Sequence, residues 1–150
     1  MKRYLLDTSA LLTLRDDEPG AQRVADILRM GQHKQAKCFG CFITLMELLY
    51  RVWRDESESQ GRLAYEQCLV LPMEWIHESP DLLCKAAEIK ATNSLSLADA
   101  WIAAGAVLQG AVLVHKDPEF QALDVDQEIL PLKGKPSSTR QKCWDAGMLG

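Results

Sequence analysis

The sequence predicts an α/β domain with a mostly parallel sheet covered by helices on both faces. Short apolar runs alternate with longer stretches of helical periodicity along the chain. One run, "AVLVH" at 111–115, is apolar up to its last residue, as a strand buried on both faces requires. No internal repeat and no second domain is visible in the 150 residues, a length that suits one domain with a sizeable core.

The elements follow in order. "RYLL" (3–6) reads as a strand and "TSALLTLR" (8–15) as a helix. "GAQRVADILRMG" (20–31) carries Val24, Ile27 and Leu28 at helical spacing. "CFGCFI" (38–43) reads as a second strand. In "TLMELLYRVWRDE" (44–56), Leu45, Leu48, Leu49, Val52 and Trp53 form one apolar stripe of a helix. A polar segment (55–61) leads into a helix ending near Leu71, and "MEWIH" (73–77) follows as a strand. "SPDLLCKAAEIKATN" (79–93) opens with a serine cap and a proline at the first helical position. "SLADAWIAAGAVLQG" (96–110) is a helix stopped by glycine, and "EIL" (128–130) is a last short strand.

The formal charge of −4 argues against gripping nucleic acid by bulk charge alone, but leaves room for acids neutralised by a metal ion. No apolar run approaches the roughly 20 residues of a membrane span. Asp7 interrupts the first leucines and no small-residue cleavage site follows, so a cytoplasmic protein is expected. The five cysteines do not form a secreted disulfide framework. Cys38-Phe-Gly-Cys41 lies in a strand-like run, with only His33 nearby as a further ligand, so core packing is expected over redox or zinc chemistry. Residues 131–150 change composition, with Lys133, Lys135, Arg140 and Lys142 among Pro, Ser and Gly. They read as a basic extension of a domain spanning 1–130, either a solvated tail or a contact for RNA phosphates or a partner.

Four acids have an ordinary structural explanation. Asp7 and Asp117 (before Pro118) read as helix N-caps, while Thr44-Leu-Met-Glu47 and Ser96-Leu-Ala-Asp99 match capping boxes. Their placement gives them a second reading. Asp7 and Asp117 follow strands and sit at the carboxyl edge of a parallel sheet, where such folds bind ligands. Glu47 and Asp99 lie in the first turns of helices able to face that edge. Converging carboxylates repel one another and raise one another's pKa, so the cluster makes sense around a cation. Oxygen-only ligands favour Mg²⁺ or Mn²⁺, ions suited to orienting water and neutralising phosphate charge in phosphodiester hydrolysis.

The stretches "YLLDTSALL" (4–12), "ITLMELLYRV" (43–52), "LSLADAWIAA" (95–104) and "AVLVHKDPEF" (111–120) resemble the PIN domain, more narrowly the VapC-type toxins of bacterial toxin–antitoxin pairs. The resemblance covers most of residues 3–130 and implies a three-layer α/β/α sandwich. It also implies a Mg²⁺-dependent endoribonuclease acting on RNA such as transfer or ribosomal RNA, usually a homodimer, held inactive by a cognate antitoxin. By position it makes Asp7 and Asp99 the principal metal ligands, with Glu47 and Asp117 completing the acidic catalytic site through water or a second ion. One departure is local: His115 stands where the family commonly has Thr or Ser, and structural service to the site is expected of it. Thr8 and Ser9 either cap the first helix or serve the metal site. Arg51 is expected to pair with Glu47 one turn earlier, and Trp53, Trp75 and Trp101 to make core or dimer contacts. Two other classes compete. A PIN-like module that only binds a protein partner would need no metal. A phosphotransfer receiver would need an acceptor Asp after its central strand, which "MEWIHES" does not offer.

Overall fold

The fold was obtained as a computed structural model, which describes residues 1–132. The basic residues of the C-terminal extension lie outside the described residues. Among the described residues five strands, β1 (Lys2–Leu6), β2 (Ala36–Cys41), β3 (Glu74–Ile76), β4 (Val112–His115) and β5 (Gln127–Ile129), form one sheet in the order β3-β2-β1-β4-β5. Every pairing is parallel. The helices are α1 (Thr8–Arg15), α2 (Ala21–Gln32), α3 (Phe42–Asp55), α4 (Glu58–Leu69), α5 (Pro80–Thr92) and α6 (Leu97–Gln109). A 3-10 helix (Pro118–Phe120) follows β4.

Alternation along β1 builds the layers. Tyr4 and Leu6 face a core shared with Leu11 and Leu14 of α1, Val24, Ile27 and Leu28 of α2, Leu48 and Val52 of α3, and Ala64 and Cys68 of α4. Leu5 faces the other way, onto Phe39, Leu113, Phe120 and Ile102, Ala103 and Ala106 of α6. Leu82 and Ala86 of α5 close over Ala104 on the outside. This is the three-layer α/β/α sandwich, with a wholly parallel sheet.

Two boundaries moved for physical reasons. The second strand stops at Cys41 and α3 begins at once at Phe42, with no side-chain cap. The expected capping box of Thr44 and Glu47 is therefore not one: both residues already lie inside the helix. Helix α4 starts within the polar segment because Ser57 caps it, accepting the Gln60 amide at 3.2 Å. Cys38 and Cys41 are buried in β2, and burial pushes each thiol up to about 11, so neither is a reactive thiolate. Of the tryptophans, Trp101 packs edge-on against Phe42 at 5.2 Å. Trp53 does not join the core: it is 43% exposed, with the Arg62 guanidinium over its ring. No helix among the described residues is long and apolar enough to cross a membrane.

The chain leaves β1 toward β2 on one side, and β4 later adds on the other side. The carboxyl ends of β1 and β4 thus flank the point where strand order reverses, the place where open parallel sheets form a ligand crevice.

Candidate metal centre

Asp7 is the first residue beyond β1, and its amide still donates to Val114 O of β4 at 3.2 Å. It caps α1 as expected: Oδ1 accepts the Ala10 amide at 2.8 Å and the Ser9 hydroxyl at 2.7 Å. Those two bonds favour the ionised form, yet burial outweighs them. Together with the charges of Asp117 and Glu47, burial pushes the Asp7 carboxyl from an ordinary 3.8 up to about 7.

Asp99 sits in the first turn of α6, 7% exposed. Ser96 caps this helix by accepting the Asp99 amide at 3.1 Å. The reciprocal half of the capping box is not made by Asp99. The Ser96 amide instead donates to Glu119 Oε2 at 3.2 Å, a residue 23 positions away. Asp99 is thereby released from its capping duty and left to face the other acids. Burial, followed by hydrogen bonds to Asp117 and Glu119, pushes its carboxyl up to about 9. The hydrogen bond to Asp99 holds Glu119 below the usual carboxylate range.

Asp117 caps the 3-10 helix through the Glu119 amide at 2.9 Å. Ligand oxygens of Asp99, Asp117 and Glu119 lie within 4.8 Å of one another. That spacing suits carboxylates arranged round a hard ion, whose oxygen ligands stand at about 2.0–2.6 Å. Glu119 is absent from the sequence expectation, because its role depends on meeting Ser96 in space rather than on any local pattern. Asp7 and Glu47 stand outside this trio, but Asp7 is linked to it: the charges of Asp117 and Glu47 raise Asp7, and that of Asp7 raises Asp99.

Glu47 is 8% exposed on α3, where Thr8 donates to its Oε1 at 2.7 Å and also reaches Thr44 Oγ1 at 3.1 Å. Arg51 stands 3.6 Å from Glu47 Oε2, the expected pairing one turn along. Ser9 does not cap either. Its hydroxyl joins Asp7 to the Lys116 amide, which donates to it at 2.9 Å, and so ties α1 to the turn after β4. His115 is fully buried and accepts the Asp117 amide through Nδ1 at 3.0 Å. The small residues of α6 let these groups approach: Ala103 and Ala106 are buried against the sheet, and a Cβ on Gly105 would stand 3.1 Å from Leu5 Cδ1.

Two acids whose burial opposes their own ionisation, Asp7 and Asp99, and the carboxylates of Asp117 and Glu119 beside Asp99 fit a divalent cation by charge and by donor type. Asp99, Asp117 and Glu119 would hold it, with Asp7 adjoining.

Comparison with known proteins agrees with this layout. VapBC2 from Rickettsia felis, solved bound to a promoter DNA fragment, is similar in fold with a TM-score of 0.70 and 20% identity, covering 86% of this chain and 99% of that one. VapBC-5 of the VapBC family of toxin–antitoxin systems, from Mycobacterium tuberculosis, gives a TM-score of 0.60 and 21% identity over 88% of this chain and 100% of that one. VapC20 from the same organism, described as a Sarcin-Ricin loop cleaving toxin, gives 0.66 and 20% over 85% and 99%. No curated protein matches the chain. The sequence pattern of the PIN domain matches residues 4–126, a span that runs from β1 past the Asp117 turn and takes in every acid of the crevice. On that match, and with the fold in agreement, the chain belongs to the PIN domain family.

Proposed function

We propose that this protein is a divalent-metal-dependent endoribonuclease and the toxin of a VapBC-type pair. The observation that carries the reading is the convergence of Asp99, Asp117 and Glu119 within 4.8 Å, beside Asp7, where strand order reverses. Mg²⁺ or Mn²⁺ bound there would supply charge neutralisation for the phosphate and an acidified water at neutral pH. The chain's own groups do the rest. Asp7, held by Ser9 and the Ala10 amide, and Asp99, freed by Glu119, set two buried carboxylates where the strand order reverses. Glu47, steadied by Thr8, adds its charge beside Asp7 and completes the acidic set. Solved relatives in fold include toxin–antitoxin complexes and one toxin that cleaves an RNA loop. They support a cognate antitoxin as partner and structured RNA as substrate; the reading takes a homodimer in the cytoplasm as the working unit, as the sequence resemblance implies.

The test is cleavage of total RNA by purified protein with Mg²⁺ or Mn²⁺. Asp99→Asn is expected to lower cleavage by at least about 100-fold while circular dichroism stays native, in line with the loss of a directly coordinating group. Cleavage by Asp99→Asn at the unmodified rate would refute the assignment.

A further inference from the structure

His115 ends β4, and both its ring nitrogens are engaged. Nε2 lies 2.8 Å from Gln127 Oε1 on β5. The amide of Gln127 reads only one way round, because its Nε2 donates to the carbonyls of Phe120 at 2.7 Å and Leu123 at 3.1 Å. The oxygen facing His115 is therefore an acceptor, and Nε2 of the ring carries the proton. Nδ1 is left bare, and it accepts the Asp117 amide at 3.0 Å. Two independent bonds thus require the same neutral tautomer. Burial, which holds the imidazole below its usual range, agrees with them.

An acceptor that takes the amide two residues on reproduces the side-chain turn made by Ser, Thr, Asp and Asn. A hydroxyl at 115 could make that bond, but it could not also reach β5. The imidazole does both. The turn it holds carries Asp117 and Glu119, whose amide binds Asp117 Oδ1 at 2.9 Å. The turn's other anchor is Ser9, through the Lys116 amide.

We propose that Gln127 and His115 form a positioning relay, in which the bare Nδ1 of His115 sets the Asp117–Glu119 turn for cation binding. The proposal rests on the reading of the acids as a cation site. Neither residue touches the cation or the substrate; each acts through the Asp117 backbone.

Three variants of the full chain separate this role from simple packing. His115→Leu keeps buried bulk and removes both nitrogens. His115→Asn returns an acceptor near the place of Nδ1. His115→Gln reaches toward Gln127 but leaves the Asp117 amide without its partner. Mn²⁺ affinity is read by electron paramagnetic resonance and thermal stability by melting. Leu and Gln are expected to weaken Mn²⁺ binding about tenfold or more, the usual size of an outer-shell loss, and Asn to restore most of it although its melting temperature falls as well. Equal Mn²⁺ affinity in the Leu and Asn variants overturns the relay. Nitrogen-15 NMR of the metal-free wild type tests it without any variant. The Nε2–H tautomer with a protected Asp117 amide is expected, and the Nδ1–H tautomer overturns it. Asp99→Asn serves as the control: wild-type Mn²⁺ affinity in that variant would overturn the cation site itself rather than the relay alone.

Discussion

Thr8 and Glu47 show how a single side chain changes meaning between sequence and fold. Thr8 follows the cap residue Asp7 and donates into α3, to Glu47 Oε1 at 2.7 Å. Thr8→Val keeps the volume and removes that donor from a buried acid. A loss of about 1–3 kcal/mol in urea denaturation is expected, since a buried acceptor loses its partner. Glu119 separates two roles in the same way. Glu119→Gln can still accept the Ser96 amide through its carbonyl, so the α6 cap is expected to hold and the melting temperature to change little. The charge offered to a cation is lost, and Mn²⁺ affinity measured by calorimetry is expected to fall. At this scale the sequence was only partly legible. Asp7, Asp99 and Asp117 could be named because each sits at a helix start, and Glu47 because its spacing from Thr44 resembles one. The spacing of Thr44 and Glu47 imitates a capping box, but spacing cannot show that β2 ends at Cys41 and the helix is already running. Nor could it show that Glu119 takes over the capping duty of Asp99, because the two meet across 23 residues of intervening chain.

Among the elements, α6 carries the greatest demands. It must present Asp99 at its start, pass Ala103, Gly105 and Ala106 close against the sheet, and stop before β4. Its two ends are set by Ser96 and by Gly110, whose φ of +58° lies in the left-handed region. Ser96→Ala is expected to cost about 1 kcal/mol through the lost cap, and Gly110→Ala about 1 kcal/mol through backbone strain, as nothing else crowds that position. Denaturation midpoints check both. If Ser96→Ala proved neutral, the Asp99 amide would have found another partner and the cap as drawn would be wrong. Elements of this kind were well legible, because apolar period, serine caps and a terminal glycine are local signals. The start of α4 was not, because Ser57 sits among residues polar enough to read as a loop.

For the whole molecule, the acids place a charge problem at the centre of a stable fold. Asp7 and Asp99 keep their protons to about pH 7 and about pH 9 when folded, against an ordinary 3.8. Above about pH 4 the unfolded chain has already released those protons, so it binds fewer than the folded one. Stability of the metal-free protein is therefore expected to fall as pH rises, first through the Asp7 range and then through that of Asp99. Melting by scanning calorimetry at pH 5 and pH 8 checks the sign, with the lower melting temperature expected at pH 8. Mn²⁺ should reverse the trend, raising the melting temperature more at pH 8 than at pH 5, because it binds the ionised acids and not the protonated ones. The parallel sheet and its helical layers followed from hydrophobic patterning. The meeting of the acids followed from topology, since the order β3-β2-β1-β4-β5 puts the ends of β1 and β4 side by side. That order is set by contacts distant in sequence, so the sequence could place each acid at the sheet edge but not show which of them meet.

Anomalous scattering from a crystal grown with Mn²⁺ tests the cation site most directly. A peak bounded by the carboxylates of Asp99, Asp117 and Glu119, at about 2.0–2.6 Å from its oxygen ligands, is the expected result. A crevice without that peak at saturating Mn²⁺, its acids turned back onto the amides of Ala10, Ser96 and Glu119, would contradict it.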